Sequence, residues 1–96
     1  MTITAIVRMT AAPGQRQALR EFIAPALDAT AAHPECSSVE VLGCLELDDT
    51  LILIERWTSV AAHQEFIGGV IASGSLDGLE TLLAEEMETL HYSESD

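Results

Sequence analysis

The sequence predicts a single α+β domain with the element order β-α-β-β-α-β. Residues 51–57 carry four consecutive aliphatic side chains, a charged pair and the one tryptophan of the chain, a strong strand pattern. Residues 15–32 instead show apolar side chains at helical spacing. Further strand-like runs at 2–10 and 37–47 flank that helix. This order is typical of the ferredoxin-like split unit, an antiparallel sheet with helices on one face.

The first two elements follow from periodicity and from one proline. Residues 2–10 alternate in polarity and predict a strand, which ends before Pro13 because proline lacks the N–H that a sheet ladder needs. Residues 15–32 predict an amphipathic helix whose apolar stripe stays in phase across Pro25, where we expect a bend. Phe22 lies on this stripe and is a candidate both for the core and for the wall of a pocket.

The middle of the chain reads as a hairpin. Residues 37–47 predict a second strand, in which Gly43 indicates a bulge or the close approach of another group. The acidic turn at 48–50 then joins this strand to the strand at 51–57. His33, in the preceding loop before a proline, has no predicted task.

The C-terminal third is less regular. Residues 60–67 predict a short helix that Gly68-Gly69 breaks, and Ser75 is a candidate cap for a further helix with a leucine stripe. Residues 87–92 predict the last strand, although the same residues could extend the helix. We expect the tail at 93–96 to be loose.

The strand at 51–57 is apolar on both faces, so we expect it to be covered on both sides. Alternate residues point to opposite faces. One face holds Leu51, Leu53, Glu55 and Trp57, and the other holds Ile52, Ile54 and Arg56. We expect the helices of the chain to cover one face and to enclose a pocket there. A chain of this length has no further element for the other face, so we predict that a second copy covers it and that the protein is a homodimer through the sheet. If Trp57 lines the pocket, the face of Ile54 meets the partner subunit.

The charge of the chain excludes several classes of partner. Sixteen carboxylates, four arginines and no lysine give a net charge of −12, which argues against nucleic acid and anionic membranes. Lysine chemistry is excluded outright. The acidity indicates solubility, with a carboxylate metal cluster as the alternative, although no EF-hand spacing occurs and we predict no metal.

The location follows from what the N-terminus and the cysteines look like. The chain has no run of about 18 apolar residues, so we expect no transmembrane helix. The N-terminus lacks a basic region of the kind that begins a signal peptide. Cys36 and Cys44 would lie roughly 26 Å apart in one extended strand, too far for a disulfide. We therefore expect reduced thiols and a cytoplasmic protein.

Candidate site residues are few. The chain has no Ser-His-Asp order, no H-E-x-x-H, no G-x-G-x-x-G and no C-x-x-C, so hydrolase, zinc and nucleotide sites have no support. Arg8 and Arg56 each lie on a strand, where a buried guanidinium needs a ligand anion or a carboxylate such as Glu40 or Glu46. His91 could cap the pocket, reach a partner subunit or lie exposed at an edge.

Several short motifs, taken in order, resemble the antibiotic biosynthesis monooxygenase (ABM) domain family. They are Ala12-Pro13-Gly14 before the helix, Pro34-Glu35-Cys36 before the second strand, and Glu55-Arg56-Trp57-Thr58-Ser59 followed by Ala61-Ala62-His63. The resemblance covers about residues 3–92. It implies a dimeric α+β barrel of ferredoxin-like subunits, in a family that includes cofactor-independent monooxygenases of phenols and quinols and haem-degrading enzymes.

The resemblance also implies roles for individual residues. Trp57 matches the family's Glu-x-Trp motif and is a candidate to position an aromatic substrate, or else a core residue. His63, six residues later, is a candidate to help deprotonate a phenol, or else an exposed helix residue. Phe66 stands where haem-degrading members carry the iron-ligating histidine, and Arg8 and Met9 stand where they carry an asparagine. We therefore expect no haem, and Phe66 becomes a candidate substrate contact.

Three functions remain open. The first is a cofactor-independent monooxygenase that oxidises a small aromatic phenol or quinol, with Trp57, Phe66, Phe22 and Arg8 binding the substrate. The second is a non-catalytic small-molecule binding or stress-response module on the same fold. The third is a non-oxidative relative such as an isomerase or cyclase.

Overall fold

A computed structural model describes residues 2–93 and shows four strands in one antiparallel sheet. The strands are β1 (Ile3–Thr10), β2 (Cys36–Gly43), β3 (Thr50–Trp57) and β4 (Glu88–Ser93), and the helices are α1 (Arg16–Ala32), α2 (Val60–Ala72) and a 3₁₀ helix (Leu79–Leu82). The strand order is β2-β3-β1-β4, so β1 and β3 are central. The predicted βαββαβ order and ferredoxin-like α+β class are confirmed.

The register of β1 against β3 assigns the two faces of the sheet. Ile3 pairs with Trp57 and Met9 with Leu51, so the odd-numbered residues of both strands lie on one face. These residues are buried and form the core with Leu19 and other residues of the helices. The face beneath the helices is therefore the one that carries Trp57.

The opposite, outer face of the sheet carries an apolar patch, and none of the helices in residues 2–93 lies over it. It holds a patch of aliphatic side chains, Ile6, Leu42, Ile52, Ile54 and Leu90. Leu42 and Leu90 are each nearly half exposed. The sequence predicts apolar side chains on this side of β3, and the structure has them there. They lie on the face of Ile54, opposite Trp57, as the alternation of side chains along the strand predicts.

The two strand arginines pair differently from the prediction. Arg8 lies on the outer face beside Glu88, with Nη2 3.7 Å from Oε1, and both side chains are about half exposed. Arg56 donates to Thr4 Oγ1 at 3.4 Å. The predicted partners Glu40 and Glu46 were wrong. For Arg8 the reason is that β4 rather than β2 lies next to β1. For Arg56 the residue opposite on β2 is Ser38, and Glu46 lies beyond the end of β2.

Strand β2 ends at Gly43, four residues before the predicted end. Arg16 from α1 packs its guanidinium against Gly43, where a Cβ atom would collide with it, and Nη1 donates to the Asp48 carbonyl at 2.8 Å. The predicted close approach at Gly43 is therefore correct, whereas the bulge of this strand lies between Cys36 and Ser38. The residues beyond Gly43 form a loop, which leaves Leu45 90% exposed.

Helix α2 is longer than predicted because it continues through Gly68-Gly69. Neither glycine has a positive φ, and the Ser73 N–H closes the helix by bonding to the Gly69 carbonyl. A glycine inside a helix costs only about 1 kcal/mol relative to alanine. Phe66 and other residues of α2 pack against the core and offset that cost.

The predicted leucine-stripe helix after Ser75 was wrong in form. Only the 3₁₀ helix at 79–82 is helical, because Gly78 takes a left-handed φ of 91° just before it. The leucines of the stripe nevertheless pack against the core, with Leu79 buried. The predicted last strand is correct and extends to Ser93. The predicted loose tail therefore does not begin at residue 93, and its remaining residues, 94–96, lie outside the described residues.

Candidate active site beside Glu55 and Trp57

A partly enclosed cavity of about 90 Å³ lies between the sheet and helices α1 and α2, where the sequence places the pocket. We call it the inner cavity. Most of its lining is apolar, with Met9 and Leu53 on the sheet side and Phe66 on the α2 side. Its polar lining residues, within the described part of the chain, are Thr30, Glu55 and Thr89. A ligand held here would meet a dry, mostly aliphatic wall.

Glu55 is the one ionisable residue that the described chain places in the lining of this cavity. The strand alternation points it beneath the helices, and only 4% of its surface is exposed. Burial raises the pKa of Glu55 above its usual value, an effect partly opposed by a hydrogen bond from Trp57. A raised pKa brings this carboxyl closer to the range in which a general base or acid works near neutral pH.

Trp57 holds Glu55 rather than lining the cavity itself. Its Nε1–H donates to Glu55 Oε1 at 2.9 Å, and the side chain is fully buried. The indole also packs against the rings of His33, His63 and Phe66, with centroid distances of 5.1 to 5.3 Å. Trp57 is not among the lining residues, so the structure places it behind the cavity as a support for the Glu55 carboxylate.

His63 lies on the first turns of α2 and is also buried, with 2% of its surface exposed. Ser59 caps the helix by accepting from the Ala62 N–H, which fixes the start of α2. His63 Nε2 lies 3.6 Å from Glu55 Oε1, and Nδ1 lies 2.9 Å from His91 Nε2. Nε2 has no hydrogen-bond partner among the described residues.

Burial disfavours an ion pair between His63 and Glu55. It lowers the pKa of His63, with a smaller contribution from His91, while it raises the pKa of Glu55. Each shift favours the neutral form of its group. We therefore interpret the 3.6 Å approach as a contact between a neutral imidazole and a carboxyl group, close to but beyond hydrogen-bond distance.

The other predicted site residues divide clearly. Phe66 lines the inner cavity, as the sequence suggests, and its ring also contacts His33 at a centroid distance of 5.2 Å. Phe22 packs against the core and is not a lining residue. Arg8 lies on the outer face of the sheet, the face opposite Trp57, so it cannot reach this cavity.

Three residues of the site had no assigned chemical role from the sequence. Glu55 was placed on the face of Trp57 by parity, but its burial beside a cavity was not foreseen. The sequence allows His91 to cap the pocket, to reach a partner subunit or to lie exposed, and it places His33 in a loop with no task. The usable signal for Glu55 and His91 is their position on the buried face of their strands, since charged residues are rarely buried without a partner or a task.

An open groove adjoins the inner cavity. It shares Ile71, Leu76, Leu79 and Met87 with the cavity lining. Ile71 is 57% exposed and Met87 is 38% exposed, so two of the shared side chains lie between the cavity and solvent. We interpret these side chains as the entrance to the inner cavity.

Residues 2–93 offer neither a metal site nor a membrane-spanning helix. No group of three or more His, Cys, Asp and Glu side chains lies close enough to hold a metal ion within that range. Nor does any helix of the same range have the length and apolar character to cross a membrane.

Comparison with solved structures shows a shared fold. The structure is similar to that of Rv0793 from Mycobacterium tuberculosis, with a TM-score of 0.84 and 23% identity. The match covers 100% of this chain and 97% of Rv0793. A conserved protein from Methanosarcina mazei gives a TM-score of 0.86 with 18% identity, covering 99% and 94%. A candidate antibiotic biosynthesis monooxygenase from Bordetella bronchiseptica gives 0.83 with 18% identity, covering 98% and 97%.

Comparison of sequences gives the family. No curated protein matches this chain. The family model described as antibiotic biosynthesis monooxygenase matches residues 2–68, which is more than half of the chain and includes β1, α1, β2, β3 and most of α2. The chain therefore belongs to the antibiotic biosynthesis monooxygenase family.

Proposed function

We propose that the protein is a cofactor-independent monooxygenase that oxidises a single-ring phenol or quinol in the inner cavity. The observation that carries the proposal is the position of Glu55, a buried carboxyl with a raised pKa in an otherwise apolar pocket. Such a group removes the hydroxyl proton of the substrate, and the resulting anion is electron-rich enough to react with oxygen directly. Family membership supports this chemistry.

The reaction balances without a cofactor. A hydroquinone and O₂ give a hydroxyquinone and water. One oxygen atom forms a new C–O bond on the ring, and the other leaves as water with two hydrogens of the substrate. The substrate supplies all four electrons, so the protein needs only to bind, deprotonate and exclude water.

The volume of the cavity supports a one-ring substrate. An apolar protein cavity of about 150 Å³ holds benzene, whereas the inner cavity measures about 90 Å³. A single ring requires the entrance residues Ile71 and Met87 to move a little, and a polycyclic phenol would require much more. A one-ring substrate therefore fits best.

The proposal involves no haem. Phe66 has no atom that binds iron, and both ring nitrogens of His63 face protein groups, Glu55 on one side and His91 on the other. The inner cavity is also far smaller than a porphyrin. A haem-degrading activity is therefore not proposed for this chain.

We also propose a homodimer through the outer face of the sheet. Members of the family are usually dimeric. The support in this chain is the apolar patch around Ile6 and Ile54, which none of the described helices covers. A second copy packed on this face would remove that patch from water.

The free thiols of Cys36 and Cys44 support a reducing compartment, so we propose the cytoplasm as the location. Burial raises the pKa of Cys36, which makes that thiol slow to oxidise.

The test is oxygen uptake with hydroquinone and methylhydroquinone, without added cofactor. We expect uptake above the buffer rate and, with ¹⁸O₂, one labelled atom in the product and one in water. Glu55→Gln should reduce kcat by at least about 10², the usual contribution of a general base. Asp28→Asn, which removes an exposed carboxylate from α1, is the matched control and should keep the wild-type rate.

A second function is favoured by the scarcity of polar groups in the cavity, namely a non-catalytic module that binds a small aromatic molecule. Quenching of Trp57 fluorescence by the same quinols, with no oxygen uptake over the buffer rate, would refute the enzyme and support the binding module.

A further inference from the structure

Three residues form a row across the sheet beneath α2. Ala5 on β1 pairs with Glu55 on β3 and, on its other side, with His91 on β4. All three therefore lie on the buried face of the sheet. Because neighbouring strands are about 4.8 Å apart, the backbones of Glu55 and His91 are roughly 10 Å apart.

His63 from α2 bridges that gap. The small side chain of Ala5, which is fully buried, leaves room above the middle of the row. The imidazole reaches Glu55 with Nε2 at 3.6 Å and His91 with Nδ1 at 2.9 Å. The two ring nitrogens thus face in opposite directions, one toward the cavity carboxyl and one toward the edge of the sheet.

We propose that His63 and His91 relay protons between Glu55 and the solvent at the edge strand β4. This inference rests on the proposed function, because Glu55 receives its proton there from the substrate. His91 is half-buried on an edge strand, whereas Glu55 and His63 are enclosed. The carboxyl and the two imidazoles therefore form a row from the cavity toward the edge of the sheet, with one hydrogen bond between the histidines and one 3.6 Å approach between His63 and Glu55.

The proton movements are complete within these three groups. The Glu55 O–H gives its proton to His63 Nε2, while the proton on His63 Nδ1 passes to His91 Nε2, and His91 Nδ1 gives one to water. The reverse movement returns a proton to the cavity when water forms from oxygen. The step from Glu55 needs a small approach, because 3.6 Å is longer than a hydrogen bond.

The surroundings of the relay contain few other titratable groups. Besides the relay groups themselves, Cys36 on β2 lies near Glu55, and the pKa of its thiol is raised mainly by burial and in smaller part by the charge of Glu55. The relay is useful because a bound substrate blocks the inner cavity. With the cavity filled, Glu55 exchanges its proton through His63 rather than through cavity water.

The first experiment is independent of turnover. Nitrogen-15 NMR of the histidine rings in wild type and in Glu55→Gln follows the shifts and tautomers of His63 and His91 with pH. If the three groups are coupled, removing the carboxyl changes the ring shifts of both histidines. Glu88→Gln, on the same edge strand but on the outer face, is the control and should change neither tautomer. Unchanged His91 shifts in Glu55→Gln overturn the relay.

The second experiment uses oxygen uptake by His91→Ala in weakly buffered medium. We expect kcat to fall roughly tenfold, below the ~10² of the base itself, with KM unchanged, and millimolar imidazole to restore the rate. An equal rate for wild type and variant at every buffer concentration overturns the relay. If wild type itself takes up no oxygen, the proposed function fails, and the NMR comparison still decides whether the groups are coupled.

Discussion

Trp57 Nε1 donates a 2.9 Å hydrogen bond to Oε1 of Glu55, two residues earlier on the same face of β3. The contact joins the one tryptophan of the chain to the one ionisable side chain that the described residues place in the cavity lining. It keeps the carboxyl in place and stabilises its charged form. The Glu-x-Trp spacing of the sequence therefore has a direct physical meaning in this protein, because residues two apart on a strand share a face.

Replacing Trp57 with phenylalanine should remove this donor while keeping an aromatic ring in the core. We expect a loss of about 2 kcal/mol in the free energy of unfolding, the usual value for a buried hydrogen bond to a charged group. The pKa of Glu55 should rise further, because the lost bond favoured its ionised form. Urea unfolding and carboxyl-carbon NMR measure the two effects. Wild-type stability together with an unchanged Glu55 titration would contradict this role of Trp57.

The stability of the protein should depend on pH through Glu55. Since its pKa is raised in the folded protein, the folded state holds this proton more tightly than the unfolded chain does. The resulting stabilisation is complete below the usual value of 4.5 and is lost as pH rises through the raised pKa. In Glu55→Gln this loss is absent, so the stability of wild type relative to the variant should decrease with rising pH.

Urea unfolding of both proteins between pH 4 and 8, roughly the range over which such groups titrate, checks this expectation. His63 acts in the opposite sense, because its lowered pKa removes stability as pH falls below its usual 6.5, but it is present in both proteins. Asp28→Asn controls for the change in net charge. Parallel curves for wild type and Glu55→Gln would show that Glu55 does not have a raised pKa.

Ala5→Val should disturb the row beneath His63. The added methyl groups enter a fully buried position between Glu55 and His91. Overpacking of this kind costs about 1–3 kcal/mol, and we expect the His63–His91 contact to be lost. Ala5→Ser adds a single atom and should keep the contact. Urea unfolding measures the loss of stability, and ring NMR of the two histidines measures the loss of the His63–His91 contact. An intact contact in Ala5→Val would show that the contact does not depend on a small side chain at residue 5.

Ile54→Asp should produce a monomer if the outer face is the dimer interface. Ile54 lies opposite Ile6 in the middle of the apolar patch, so the carboxylate would be buried without a partner. In sedimentation equilibrium, wild type should show twice the chain mass of 10.3 kDa and the variant a single chain mass. The exposed helix variant Arg20→Gln should behave as wild type. A wild-type mass of one chain at micromolar concentration would refute the dimer.

Patterns of short range gave correct predictions. The alternation within 51–57 assigns Trp57 to one face and Ile54 to the other, and the stripe of α1 continues through Pro25 as expected. Patterns near glycines were less reliable. Gly68-Gly69 does not end α2, whereas Gly78 does prevent a regular helix, and only the φ angle taken in the folded chain distinguishes the two cases.

The sequence by itself determined the fold class, the faces of the central strand and the family, since each depends on spacings between residues close in the chain. Only the tertiary structure decided that Glu55 borders a cavity, that Arg8 lies on the far face, and that His63 meets His91. The last contact joins residues 28 positions apart. It depends on the register of β4 against β1, which places His91 beside the small Ala5, and on the position of α2, which carries His63. No local periodicity encodes a relationship between these three separate elements.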